Sequence, residues 1–158
     1  MSIDSIFEKE QEYLRQLAPV RAMVLRFAEQ MGWGPQNRGR KAHVSIFGPV
    51  NGLIGLIDIE IARLDWDDMP ETLTPNYPFT LWCSAAQTRD GVRLFCKREL
   101  YWQVRFAELP KYVIGFLQCA WQMLLELNEH DLSPDSPGPS TNPDFPPNFG
   151  PPRVKKKL

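Results

Sequence analysis

The chain has 158 residues, of which 43% are apolar and 23% charged, with a formal net charge of −1. That length fits one ordinary domain, and a charge so close to zero excludes a global field that would draw the chain to nucleic acid or to a membrane surface. Three cysteines (Cys83, Cys96 and Cys119) without CxxC spacing, and only two histidines (His43 and His130), argue against a disulfide framework and against a metal centre.

The opening residues MSIDSIFEKEQEYL are charged and lack the apolar core of a secretory signal. No run approaches the ~20 apolar residues of a membrane span. The sequence therefore predicts a cytoplasmic protein with no membrane partner. Residues 1–132 carry a net charge of −3 and residues 133–158 one of +2. The first segment reads as a single α+β domain, long enough to bury a core without staples.

Residues 4–31 read as a helix. Ser5-Ile6-Phe7-Glu8 matches a capping box, and Phe7, Leu14, Leu17, Val24, Phe27 and Met31 share one stripe. Pro19 predicts a kink or a restart, because proline removes an amide and clashes one turn back. Gly32 ends the helix. Residues 36–41 are a polar loop, and 42–47 a strand with Ala42, Val44 and Ile46 on one face. Residues 48–52 (Gly-Pro-Val-Asn-Gly) read as a turn. In 53–62, Ile57, Ile59 and Ile61 alternate with Asp58 and Glu60, the period of a strand. An acidic, solvated loop follows at 65–71.

Residues 79–88 and 91–106 flank Asp90-Gly91, a favoured hairpin turn. With Arg89 opposite Val92, the register pairs Ala85 with Cys96, Cys83 with Arg98, Leu81 with Leu100 and Phe79 with Trp102 on one face. The other face pairs Ala86 with Phe95, Ser84 with Lys97, Trp82 with Glu99 and Thr80 with Tyr101. One register thus separates an apolar face from a mixed one. The second arm is too long for a straight strand, so a bulge or break is expected near Arg98-Glu99.

Residues 107–128 read as a closing helix. Val113, Leu117, Ala120, Leu124 and Leu127 form its apolar row, widened by Ile114, Trp121 and Leu125. Gly115 inside it suggests a close contact with the sheet. After Ser133 there are eight prolines between 134 and 152, then Lys155-Lys156-Lys157. Residues 133–158 read as a disordered, proline-rich tail with a lysine-rich end, too poor in apolar residues to offset the entropy of ordering. The predicted fold is an N-terminal helix, a four-stranded antiparallel meander, a C-terminal helix and this tail.

No Gly-rich phosphate loop, HExxH or GxSxG motif is present, so the sequence predicts no cofactor and no metal. Cys83 and Cys96 read as small core hydrophobes. Arg98, however, interrupts the row Val92, Leu94, Cys96, Leu100, Trp102, and a cation there would lower the pKa of a neighbouring thiol. Alternatively, it marks where the strand leaves the core. The mixed face interleaves aromatics with cations: Trp82, Arg93, Phe95, Lys97 and Tyr101. Such a surface suits a protein partner, or is simply solvated. Single-stranded nucleic acid uses similar mixtures, but the net charge argues against it.

The layout of helix, antiparallel meander and helix, rich in aromatics and without catalytic motifs, resembles small immunity proteins of bacterial toxin systems. That resemblance implies a non-enzymatic protein that binds one partner, a toxin domain, as an inhibitor or chaperone. Gly48-Pro49, Tyr77-Pro78-Phe79, Gly91 ahead of Cys96, and Trp102 before an apolar helix resemble the ubiquitin-conjugating family. This second resemblance implies an enzyme that carries a modifier as a thioester on Cys96, with an activating enzyme and a ubiquitin-like modifier as partners. The His-Pro-Asn motif of that family is absent. The first reading is preferred and the enzyme kept as the alternative.

Overall fold

The computed structural model describes residues 3–35, 44–61 and 72–135, the side chains of 3–7, 10 and 61 excepted. Readings that fall on 36–43, 62–71 and 136–158, among them His43, the acidic loop and most of the tail, lie outside the described residues.

Helix α1 (Ile3–Met31) continues through Pro19 as one element. Pro19 is exposed. The buried face is Tyr13, Leu17, Val20, Val24 and Ala28, at spacings of three and four. Leu14, Phe27 and Met31 flank this face half-buried. The helix closes where Gly32 takes a φ of 73°. The Trp33 N–H donates to Ala28 O at 2.7 Å and the Gly32 N–H to Glu29 O at 3.2 Å. These six-to-one and five-to-two bonds satisfy the last carbonyls and aim Trp33 back at the core.

The strands are β1 (Gly34–Pro35), β2 (Val44–Val50), β3 (Leu53–Ile61), β4 (Pro78–Arg89), β5 (Val92–Cys96), β6 (Leu100–Arg105) and β7 (Leu132–Ser133). They form a seven-stranded sheet in the order β1-β2-β3-β4-β5-β7, with β6 also on β4. Every pairing is antiparallel. Four strands is therefore too few. The predicted last strand is two, and two-residue strands pair with β2 and β5.

The turn read at 48–52 is shorter than expected. Gly48 and Pro49 belong to β2, and only Asn51 and Gly52 turn, with φ of 52° and 78°. Val50 pairs with Leu53 across this two-residue hairpin. The pair flanking such a turn is hydrogen-bonded, so the next pair, Pro49 with Ile54, is not, and the missing proline amide costs no ladder bond. Asp90 and Gly91 make the same kind of turn between β4 and β5, with φ of 53° and 78°.

Beyond that turn the predicted register holds for Arg89–Val92, Thr88–Arg93 and Ala86–Phe95. It then slips by two residues: Cys83 faces Leu100, Trp82 faces Tyr101, Leu81 faces Trp102 and Phe79 faces Val104. The expected pairs of Ala85 with Cys96, Cys83 with Arg98, Ser84 with Lys97 and Trp82 with Glu99 do not form. The cause is the break at 97–99. There the Lys97 N–H donates to Asp131 O at 2.6 Å and the Arg98 N–H to Cys96 Sγ at 3.3 Å. Cys96 and Phe95 pair instead with Leu132 and Ser133. Because side chains alternate with period two, a two-residue slip leaves every later residue on its predicted face.

A 3-10 turn (Phe106–Glu108) leads into α2 (Leu109–Glu126). The predicted row Val113, Leu117, Ala120, Leu124 and Leu127 is buried, and Leu109, Phe116 and Met123 widen it. Ile114 and Leu125, expected to do so, are exposed. They lie on the far flank of the row, past Trp121, which meets Phe27 and Trp33 edge-on. Nor is Gly115 a close approach: a Cβ there would sit 3.8 Å from the Trp102 ring, in ordinary contact.

The core is one cluster, joining the buried faces of α1 and α2 to a single face of the sheet. That face carries Ile46, Ile57, Ile59, Leu81, Cys83 and Trp102, among others. Each fully buried Leu or Ile contributes roughly 1.5–3 kcal/mol. Trp33 packs on the Gly48–Gly55 pair of this face and donates from Nε1 to Pro49 O at 3.0 Å.

Candidate functional site

Alternation from this core face puts a second set of residues on the opposite side of the sheet, and the register orders them in rows. One row is Pro49, Ile54, Ala86 and Phe95; the next is Phe47, Leu56 and Ser84; the third is Ser45, Asp58, Trp82 and Tyr101. Glu60, Thr80 and Gln103 follow. None of these residues belongs to the hydrophobic core cluster.

The face has two halves. In one, Ser45, Asp58, Thr80, Tyr101 and Gln103 are buried. Ser45 Oγ donates to Asp58 Oδ1, and the Thr80 and Tyr101 hydroxyls lie 3.5 Å apart. A hydrogen bond of this kind is what allows a polar group to leave water. The other half is apolar and wet: Ile54 is 50% and Phe47 41% exposed, Pro49 is exposed, and Leu56, Ala86 and Phe95 are half-buried.

The five predicted binding residues divide between these halves. Trp82 and Tyr101 stand opposite each other in the polar half; Trp82 is half-buried and Tyr101 buried. Phe95 and Arg93 belong to the apolar half, with the Arg93 guanidinium 5.5 Å from the centre of the Phe95 ring. Lys97 is exposed but sits in the break rather than on a strand. The sequence reading missed Phe47, Pro49 and Ile54. Their signal was present, as apolar residues out of phase with Val44, Ile46 and Ile57. Phe47 and Ile54 fall inside the predicted strands 42–47 and 53–62, on the faces opposite Ile46 and Ile57; of the three, the turn reading of 48–52 removes only Pro49 from its strand.

Cys96 lies beneath this surface, on the core side. It is buried, and burial pushes its thiol up to about 11. The Arg98 backbone N–H and guanidinium pull the other way, while Asp131 and Glu99 reinforce the rise. The guanidinium is itself held by Glu126 at 3.7 Å and Asp131 at 3.9 Å. Cys83 is raised further, by burial first and then by Cys96 and Glu99. Nucleophilic thiols are thiolates in open, electropositive surroundings, and neither sulfur has that setting. Cys119 is exposed on α2.

A pocket of about 310 Å3 opens on the core side, lined by Asn51, Leu53, Gln87, Arg89, Leu127 and Glu129, among others. Its polar groups are committed to the fold. Asn51 Nδ2 donates to Leu127 O at 3.1 Å, Gln87 Nε2 to Gly52 O at 2.9 Å, and Arg89 pairs with Glu129 at 3.3 Å. This pocket ties a hairpin turn to the end of α2. Among the described residues no group of His, Cys, Asp and Glu is placed to hold a metal ion, and no helix is long and apolar enough to cross a membrane.

Comparison with protein-family models, with curated proteins and with solved structures gives no match.

Proposed function

We propose that this chain is a non-enzymatic protein-binding domain and that its binding surface is the apolar half of the second sheet face. The observation that carries the reading is the row Ile54, Ala86 and Phe95 with Phe47 beside it: Ile54 and Phe47 exposed, Ala86 and Phe95 half-buried, side by side on a strand-built surface. Isolated exposed apolar residues need no explanation, but a contiguous apolar group on a flat, strand-built surface marks an interaction site. The Arg93–Phe95 stack adds the residue types that dominate binding energy. The immunity-type inhibitor and the binding chaperone are the forms of this function that the layout resembles. The burial of Cys96 gives the thioester-carrier alternative no support.

A photo-crosslinking side chain at position 54, introduced in cells that make this protein, tests the reading. It should capture a discrete partner species, whereas the same side chain at Gln118, exposed on α2, should not. Equal, diffuse labelling from both positions would count against the surface.

A further inference from the structure

The exposed apolar half of the sheet carries two exposed cations at one edge, Arg93 and Lys97. Arg93 stands on the row next to Ala86–Phe95, opposite Thr88, with its guanidinium over the Phe95 ring. Lys97 is exposed two residues beyond Phe95. Neighbouring cations are answered within the chain: Arg98 by Glu126 and Asp131, Arg89 by Glu129. Among the described residues, Arg93 and Lys97 have no such answer. Asp135 is the carboxylate nearest in register, since Ser133 pairs with Phe95. The chain bends at 134–135, the Asp135 N–H donates to Ser133 Oγ at 3.2 Å, and Asp135 forms no ion pair with Arg93. A guanidinium stacked on a ring with no carboxylate keeps its donors for a partner, and a carboxylate reaching it there would gain a charge-assisted bond beside an apolar floor that excludes water.

We infer that this face takes an acidic, apolar protein segment, with aliphatic or aromatic side chains on Phe47, Ile54 and Phe95 and Asp or Glu carboxylates on Arg93 and Lys97. The inference rests on the binding reading above and names the partner's chemistry. Single-stranded nucleic acid would need cations that track its backbone along a groove, and two cations at one edge of the floor do not provide that.

The test pans a phage-displayed random peptide library against the immobilised full-length chain and titrates the enriched sequences as synthetic peptides. Enriched peptides should combine aromatic or aliphatic residues with Asp and Glu and should bind more weakly as ionic strength rises. Arg93→Glu with Lys97→Glu should weaken them roughly tenfold or more, Arg93→Gln with Lys97→Gln should weaken them less, and Ile54→Asp should abolish binding. All of these sites are exposed, and circular dichroism verifies that each variant folds. A neutral peptide pool that needs Ile54 but ignores Arg93 and Lys97 overturns the acidic partner and leaves the binding surface standing. A pool that no variant affects, or no enrichment, overturns both. Enrichment of cationic proline-aromatic peptides like residues 136–158 assigns the face to the chain's own tail. Self-association abolished by Ile54→Asp assigns it to a second copy, and binding of a thymidine oligonucleotide in place of peptide assigns it to nucleic acid. Each of these three also overturns the proposal.

Discussion

The Trp33 indole occupies the space in which Gly55 would carry a side chain: a Cβ at Gly55 would lie 2.6 Å from the far edge of the ring. Gly48, paired with Gly55 across β2 and β3, is covered by the same ring near its root. The ring is fixed at one end by the helix cap at Gly32 and at the other by its bond to Pro49 O, so it has little freedom to move aside. Gly48→Ala and Gly55→Ala should each destabilise the fold by about 1–3 kcal/mol through overpacking, read from urea unfolding midpoints. Stability unchanged in both would mean that the ring can move.

Gly115→Ala should do the opposite. Its position is helical, and a new methyl would meet Trp102 at ordinary contact distance. Removing a glycine from a helix interior should therefore stabilise the fold by about 0.5–1 kcal/mol. A loss of stability would show that α2 packs more tightly on β6 than the 3.8 Å spacing implies.

The cysteines predict their own titration. In the folded chain one of the three thiols, Cys119, should react rapidly with a water-soluble thiol reagent, and Cys83 and Cys96 only on unfolding. Rapid modification of Cys96 under native conditions would restore it as a candidate thioester carrier.

Stability should also fall on the alkaline side. The Cys96 thiol is pushed up to about 11 and the Tyr13 hydroxyl, buried and beside Tyr77, up to about 12. Cys83 is raised in the same sense. In the unfolded chain cysteine and tyrosine ionise near ~8.5 and ~10. Above those values the native state holds more protons than the unfolded state, so stability decreases as pH rises. The contribution of Cys96 is present in full below about pH 8.5 and is lost through about 11. Chemical denaturation across this range should show the decline, and Cys96→Ala should make it shallower. A flat profile up to about pH 10 would mean that the thiols are not desolvated.

How much of this was legible in the sequence depends on the distance over which each feature is decided. Helix α1 and strand β3 were legible as elements because each period repeats within one segment, although the buried face of α1 centres on Tyr13, Val20 and Ala28 beside the predicted stripe. So was the Asp90–Gly91 turn, where positive φ selects the residues. The break at 97–99 was visible as excess strand length. Its two-residue slip was not, because it depends on Asp131, Leu132 and Ser133 supplying partners from beyond α2. The same distant pairing made β7, which the sequence alone placed at the domain boundary. On the candidate site, Phe95 and Arg93 were found through the hairpin register. Phe47 and Ile54 were not, although both lie in predicted strands, because the row that joins Ile54 to Ala86 and Phe95 is set by pairing between distant strands. Pro49 was lost because Gly48-Pro49 reads as a turn when nothing shows that a tryptophan packs on Gly48 and that Pro49 falls on a pair needing no amide.

The two halves of the second sheet face should separate stability from binding. Tyr101 is 5% exposed and faces Trp82 across the β4–β6 pair. Truncating a buried aromatic leaves a cavity, so Tyr101→Ala should cost about 3–5 kcal/mol. Ile54 and Phe47 lie in water for roughly half of their surface. Their replacement by Ala removes little packing and should cost under about 1 kcal/mol. Arg93→Ala breaks no ion pair among the described residues and should be neutral for stability. Binding should follow the reverse order. With a captured partner in hand, Ile54→Ala, Phe95→Ala and Arg93→Ala should each lose affinity, and at least one should reach the ~2 kcal/mol that marks a hot spot. If Ile54→Ala unfolds the domain instead, this half of the face is covered in the native chain and is core rather than interface. If Ile54→Ala, Phe95→Ala and Arg93→Ala all fold and bind normally, the partner docks elsewhere. Thermal unfolding followed by titration of the same variants decides between these outcomes.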